Sequence, residues 1–352
     1  MSKKVVEHAR PTESFWVRNK KSGGYLLKKT LGNKIYKFVR FLLLFGLCFM
    51  IIQPLLSKIS VSFMAEEDLY DSTIVAIPRH VTLENYENLA NYPELLNYGP
   101  ALYNTFIVSL LVAVLQVAAS TLVGYGFARF KFPLKKLWFF LVILTILVPP
   151  QTISTALHLT FSHYDPLGIV SLFNGGSSIN LLSKAYYLNL GFISLPVPYL
   201  AMSLTCQGLK TGLYIYMIRQ FFSGVPVSLE EAAYVDGCST FKTFWRVILP
   251  DAVPILVSCF LFAFVWQWTD SFYTRMFIND SSLPLLSMKL SGLSDATSKW
   301  KETITYTGNV ATLGQREQFL ATGVLMTIAP LLVLYLFAQK GFVESISSTG
   351  LK

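Results

Sequence analysis

The sequence predicts an all-α polytopic membrane protein with six transmembrane helices. Three observations carry that prediction. The chain of 352 residues is 53% hydrophobic and only 14% charged, where an ordinary soluble domain carries about 25% charged residues. Its mean hydropathy is +0.49. Six stretches approach the roughly 20 apolar residues that a helix needs to cross a bilayer core about 30 Å thick.

The stretches follow in order. Residues 38–57 (FVRFLLLFGLCFMIIQPLLS) form the first span, 102–128 the second and 137–157 (opening LWFFLVILTILVPP) the third. The fourth, 197–218, is interrupted by Gln207 and Lys210. The fifth is 253–274, opening VPILVSCFLFAFVWQW, and the sixth is 319–338. This gives a basic tail over 1–37, a six-helix region over 38–338 and a second tail over 339–352.

Charge placement orients these spans. The net charge of +9 resides in the N-terminal tail: eleven Lys or Arg lie between Lys3 and Arg40 against Glu7 and Glu13, and the rest of the chain is neutral. A nucleic-acid-binding arm has a similar composition, but this one directly precedes a span, where basic residues stay on the cytoplasmic side and meet anionic lipid headgroups. The turn at 129–136 carries Arg129, Lys131, Lys135 and Lys136, and 219–252 carries Arg219, Lys242 and Arg246. Residues 60–100 hold seven acids from Glu66 to Glu94 against Arg79 alone. Every loop agrees with cytoplasmic termini. The loop 158–195 is rich in Gly, Ser and Asn (FNGGSSIN) and reads as an outer surface excursion. Cys48, Cys206, Cys238 and Cys259 show no paired spacing, and the expectation is neither a disulfide framework nor a zinc site.

Between the fourth and fifth spans lies an ordered polar segment, EEAAYVDGCSTFKTFWRVILP at 230–250. Ser228 followed by Glu231 has the spacing of a capping box. Gly237 supplies a left-handed residue to end the first helix. Ser239 or Thr240 can cap a second helix, in which Phe241, Phe244, Trp245 and Ile248 would share one apolar face. Pro250 stops that helix, and Pro254 opens the fifth span. On helix physics alone, such an elbow could equally be a lip resting on lipid headgroups.

The residue order adds to this. Glu231-Ala232-Ala233, then Gly237, then Leu249-Pro250 resembles the EAA loop of binding-protein-dependent ABC importer permeases, with Val247 where that family has Ile. IRQFFSGVP (218–226), TLENYENL (82–89) and YNTFIVSL (103–110) resemble segments of the carbohydrate group, and KGFVESISSTGLK (340–352) resembles the tail of the maltose-type second permease subunit. The resemblance runs from about residue 80 to the C-terminus and excludes the N-terminal tail and much of 158–195. It implies the type I ABC importer permease fold, with 226–252 as a cytoplasmic coupling loop docking on a separate ATPase. Glu230, Glu231, Ala232, Ala233, Asp236, Gly237, Leu249 and Pro250 would form that joint, and Ser347, Ser348 and Thr349 could also reach the ATPase pair. Implied partners are a second permease subunit, an ATPase dimer holding ATP and Mg, an outer solute-binding protein, lipid, and a sugar or oligosaccharide. A permease for a polyamine, phosphate or peptide would share the elbow, and a secondary transporter or channel would share the spans.

Polar groups within the spans are candidates for a substrate pathway. Lys210 lies midway through the fourth span, where a charge is costly; it could line a pore, or pair with an acid in the bundle or on the partner. Trp266, Gln267, Trp268, Thr269 and Asp270 combine aromatic faces with amide and carboxylate groups, as a sugar site does, but an outer aromatic belt or a span end would look alike. No catalytic constellation accompanies them. GLKT at 208–211 lacks the spacing of a phosphate loop, and HExxH and GxSxG motifs are absent. The chain is therefore expected to bind no cofactor and to leave ATP hydrolysis to its partner.

Overall fold

The computed structural model describes residues 14–71, 73–74, 77–190, 193–278, 283–305 and 311–349. It divides into two compact units, residues 1–60 and 61–352. Helix α1 (Phe15–Lys21) and most of α2 (Tyr25–Ser62) make up the described part of the first. Helix α2 begins well before the expected start of the first span at Phe38. No proline lies between Lys28 and Arg40, so the helix runs on through Gly32 and the basic residues occupy its early turns; its 38 residues are about 57 Å long.

The second unit is built around α4 (Tyr98–Arg129). Short α3 (Glu84–Asn91) leads into it. Next come α5 (Lys135–Leu147) and α6 (Pro150–Ser162), bent by 105° at the break between them. The expected third span is thus two half-helices. Pro149 has no N–H to continue the ladder of α5, and Pro150 is suited to the first turn of α6. The loop at 158–195 contains α7 (Ile169–Phe173) and the antiparallel strand pair β1 (Tyr187–Asn189) and β2 (Ser194–Pro196).

The fourth expected span is also broken, into α8 (Val197–Leu204) and α9 (Thr211–Gly224). The elbow follows as α10 (Val227–Val235), α11 (Thr240–Thr243), a π-turn over Phe244–Ile248 and α12 (Leu249–Asp251). Helix α13 (Val253–Thr269) leaves the elbow at 75°. It stops five residues before the expected end of the fifth span, and α14 (Phe272–Phe277) begins anew. Helices α15 (Leu286–Thr305) and α16 (Leu313–Thr349) complete the unit. The sixth span and the first eleven residues of the expected C-terminal tail are one helix; 350–352 lie outside the described residues.

By length and composition, three described helices can cross a membrane: α2, α4 and the apolar part of α16. The count is up to five if each bent pair is one span, a number consistent with six expected crossings of which several are kinked or divided. Helix α4 packs along α9 and α13, and α13 along α16. A Cβ on Gly124 would lie 2.9 Å from Ile218 Cγ2 and 3.2 Å from the Arg219 nitrogen, so α4 and α9 approach this closely only because Gly124 has no side chain. Trp268, 1% exposed, donates its indole N–H to the Thr327 carbonyl at 3.2 Å and joins α13 to α16. Tyr98 likewise donates to Met326 O at 3.0 Å.

Candidate functional site

The first candidate site is the elbow. Pro226, at φ −59°, is the residue before α10, and Leu229 donates to its carbonyl. The proline ring presets the helix start two residues early, so Ser228 falls in the first turn and no side chain caps the helix. The expected Ser228–Glu231 capping box is therefore not formed. The C-terminal end matches the expectation. Gly237 has φ +77°, its N–H donates to Tyr234 O at 3.0 Å, and Cys238 N donates to Ala233 O at 2.9 Å. These two bonds are a Schellman closure, which places a left-handed residue where glycine is strongly preferred. Ser239 Oγ then accepts from Lys242 N at 3.4 Å and caps the second arm.

That arm does not present one apolar face. In the π-turn, Leu249 donates five residues back to Phe244 O. Phe244 (5% exposed) and Ile248 (0%) turn into the bundle, while Phe241 (71%) and Trp245 (52%) turn outward. The wider turn gives each residue less than its usual share of rotation, and it comes just before Pro250, which has no N–H to donate. Pro250 accordingly lies inside the helical run and does not end it.

The inner side of the elbow is clamped to the end of α4. Arg129 Nε lies 2.7 Å from Glu230 Oε1, with both side chains at least nine-tenths buried, and Arg129 Nη2 donates to Val225 O at 2.8 Å. Beside this pair, the ring of Tyr125 meets Phe244 at 4.7 Å, Phe222 at 5.5 Å and Phe130 at 5.7 Å between centroids. Of the residues predicted to form a joint, Glu230 and Ala233 face this inner cluster and Leu249 is half-buried. Glu231, Ala232, Asp236, Gly237 and Pro250 are exposed. Val235 stands among them, 88% exposed, and sequence reasoning passed over it. An apolar residue directly before the helix-ending Asp-Gly was its signal. No atom lies within 4 Å of where a Cβ on Gly237 would be, so the crest of the elbow is open.

The second candidate site is a polar layer within the bundle. Thr205–Lys210 unwind between α8 and α9, with Cys206 at φ +59° and Lys210 at φ +57°. Lys210 is the residue before α9, and its ammonium lies over the Trp266 ring, 5.1 Å from the centroid. A Cβ on Gly208 would fall 1.9 Å from Gln116 Nε2, so the buried Gln116 side chain sits directly against this backbone. Measured along their helices from the elbow end, Gln116 in α4, Lys210 before α9 and Trp266–Gln267 in α13 all lie about 20 Å deep. Gln267 is buried and shares a small void with Gln116, Gly208 and Tyr199. A cleft of about 350 Å³ adjoins it, between the α5–α6 break and residues 206–212.

Two other predicted pathway residues are engaged elsewhere. Trp268 is core, as described above. The Asp270 carboxylate accepts from Phe272 N (3.2 Å) and Tyr273 N (3.3 Å) at Oδ1. At Oδ2 it accepts from Thr274 N and Thr274 Oγ1 (both 2.9 Å) and from the Tyr199 hydroxyl (3.2 Å). Asp270 thus caps α14 and ties it to α8. Thr269 donates back to Val265 O at 3.0 Å.

Comparison with known proteins bears on both sites. The chain is 26% identical over 299 residues to the probable ABC transporter permease protein YurM of Bacillus subtilis, covering 85% of this chain and 83% of that one. It is 24% identical over 323 residues to the maltodextrin transport system permease protein MalD of Streptococcus pneumoniae, covering 91% and 97%. A solved bacterial ABC transporter involved in the import of the acidic polysaccharide alginate shares the fold, with a TM-score of 0.64 at 17% identity over 88% of this chain and 97% of that one. Residues 117–346, which contain the elbow and most of the polar layer, match a family profile, and the chain belongs to that family: binding-protein-dependent transport system inner membrane components.

Proposed function

We propose that this chain is a permease subunit of an ATP-driven importer for sugars or oligosaccharides, coupled to a separate ATPase through the elbow at 226–252. The observation that carries the reading is the two-sidedness of the elbow. Its inner side is fixed by Arg129–Glu230 and the Tyr125 cluster, and its crest of Glu231, Ala232, Val235, Asp236 and Gly237 is exposed. A lever needs both properties, a rigid attachment to the bundle and a free surface for the motor. Small Ala232 and Gly237 allow close approach of a partner backbone, and Glu231 and Asp236 give it charge to pair with. The crest faces the cytoplasm in this reading, as the basic loops imply.

The alternating-access cycle follows. An outer solute-binding protein delivers substrate. ATP and Mg, held by the ATPase dimer, close that dimer. Its movement pushes the elbow and, through Arg129 and Phe244, the elbow ends of α4 and α13. The cleft between this chain and a second permease subunit then changes the side to which it opens. The sugar assignment draws on maltodextrin- and arabinooligosaccharide-transporting relatives of this chain. This chain supplies no catalytic group in the cycle; hydrolysis belongs to the ATPase.

Reconstitution of the chain with its partner subunits in proteoliposomes tests the reading. ATP-dependent uptake of a radiolabelled maltodextrin or arabinooligosaccharide is expected. Gly237→Asp, which puts a side chain and a charge at the open crest, should reduce uptake at least tenfold while the chain still assembles in the membrane. Full uptake by that variant, or uptake independent of ATP, would overturn the proposal.

A further inference from the structure

At the end of the second unit opposite the elbow, three helices bring polar faces to one space. Thr297, Trp300, Lys301 and Ile304 recur along α15 at the spacing that keeps to a single helix face. Gln315, Gln318 and Phe319 do the same at the start of α16, and Asn85 and Asn88 on α3. Helix α16 packs on both α15 and α3. The residues of these three faces line a cavity of about 180 Å³. A helix face enclosed between neighbours is ordinarily apolar. Here Asn85, Thr297, Gln315 and Gln318 are all more than nine-tenths buried.

Hydrogen bonds fix the orientation of the two innermost amides. Asn85 Nδ2 donates to Ser62 O and Met64 O, both at 3.1 Å, and Gln318 Nε2 also donates to Met64 O. With the nitrogens held by backbone carbonyls, Asn85 Oδ1 and Gln318 Oε1 are acceptors that have no donor among the described residues. A buried acceptor without a donor costs free energy, which a ligand hydroxyl recovers. The charges nearby cancel. Both oxygens of Glu66 accept from Lys301 at 2.8 Å, and Oε1 also accepts from Gln315. The remaining lining charge is Glu84, exposed at the rim, which repels an anion. Trp300 gives the cavity an apolar wall, and its ring is held between Tyr92 at 5.1 Å and Phe319 at 5.5 Å.

We propose that this cavity is a subsite for one ring of a neutral sugar. The proposal rests on the sugar-importing function and adds to it a site on the outer side, where the acidic loop 60–100 places this end of the unit. Sugar hydroxyls donate to Asn85 Oδ1 and Gln318 Oε1 and accept from the Asn88 amide, and Trp300 and Phe319 supply apolar surface for the C–H groups. A volume of about 180 Å³ is the share of about six waters at ~30 Å³ each, enough for a single ring. An oligosaccharide therefore enters by a terminal unit.

Saturation-transfer NMR on the complete complex in phosphatidylcholine nanodiscs, without nucleotide or binding protein, tests the site. The probes are glucose, galactose, xylose, arabinose and glucuronate. At least one neutral sugar should bind with a dissociation constant of about 1 mM or tighter, and glucuronate should bind more weakly than that sugar. Ile304 is 45% exposed at the cavity rim. Ile304→Trp, which adds bulk there, should abolish binding, and Ile304→Ala should retain it. Asn88→Leu removes a half-buried amide that has no described partner in the protein, and should weaken binding roughly 3- to 10-fold, the range of one neutral hydrogen bond. Co-purification of the partner subunits checks that each variant assembles, and Asn88→Leu decides alone if Ile304→Trp does not. Binding that survives Ile304→Trp, or that Asn88→Leu leaves at full strength, would put the sugar elsewhere and overturn the proposal. Failure of every neutral probe to bind would also overturn it, as would glucuronate bound as tightly as the best neutral sugar. ATP-driven uptake by the wild-type complex is scored separately. Uptake without binding in the cavity rejects the subsite and leaves the proposed function standing, whereas absence of uptake rejects that function.

Discussion

Arg129 and Glu230 form the contact on which the elbow depends most. Each sits at the end of its own helix, and both are desolvated. Removing one charge leaves the other buried and unpaired, a loss of about 3 kcal/mol or more, whereas replacing both with apolar groups is far less costly. Arg129→Met should therefore lower stability to thermal unfolding in detergent by about that amount, and Arg129→Met with Glu230→Met should recover most of it. A double variant as unstable as the single one would show that the pair contributes no specific clamp. Glu231 is next in sequence but faces outward, and Glu231→Gln should leave stability unchanged within about 0.5 kcal/mol. No sequence pattern could assign these two glutamates to opposite sides, because Glu230 is drawn inward by an arginine about a hundred residues earlier.

At the scale of elements, features set by local chemistry were legible in the sequence and those set by distant packing were not. Gly237 and Ser239 ended and began the arms of the elbow as expected, since a left-handed glycine and a serine cap act on their own few residues. The α5–α6 break had a readable signal in the double proline of LVPP, within a run that was otherwise a continuous span. The α8–α9 break had none of comparable strength. It places Cys206 and Lys210, neither a glycine, in left-handed conformations. The surroundings that hold it are the Gln116 side chain against Gly208 and the Trp266 face beneath Lys210, both from other helices.

The second arm of the elbow shows the same division. An apolar stripe was visible, but the π-turn that divides it was not. Burial now distinguishes its aromatic residues. Phe244→Ala removes a ring packed on Tyr125 and should cost about 3–5 kcal/mol. Phe241→Ala, at an exposed position, should cost under about 0.5 kcal/mol. Thermal unfolding of the two variants in the same detergent checks the contrast.

At the scale of the whole molecule, the two ends of the second unit are built differently. The elbow end is a clamp and a crest. The opposite end carries polar tethers: Glu66 accepts from Lys301 at 2.8 Å and from Gln315, and Asn85 donates to Ser62 O and Met64 O at 3.1 Å. Asp68 accepts from the backbone N–H groups of Arg79 (2.8 Å) and His80 (2.9 Å) and from His80 Nδ1 (2.8 Å). The His80 backbone bond is the main reason its carboxyl titrates below the usual range. A depressed acid of this kind contributes stability that is fully present above its unfolded value of about 3.9 and is lost as pH falls through the lower folded value. Amide protection at Arg79 and His80 should thus hold constant from pH 7 to about 5 and collapse only below about 4. Collapse already near pH 6 would contradict this assignment to Asp68.

The central claim is that the crest of the elbow meets a separate ATPase. Cross-linking at Val235, 88% exposed on that crest, tests this most directly. Val235→Cys would be introduced into a chain whose Cys48, Cys206, Cys238 and Cys259 are replaced by alanine. A short bifunctional maleimide should then join this chain to a cysteine engineered along the docking cleft of the ATPase in the assembled complex, with a yield that changes on adding ATP. Cross-linking that never reaches the ATPase, or labelling of the new cysteine in intact cells by a maleimide that cannot cross the membrane, would contradict the account.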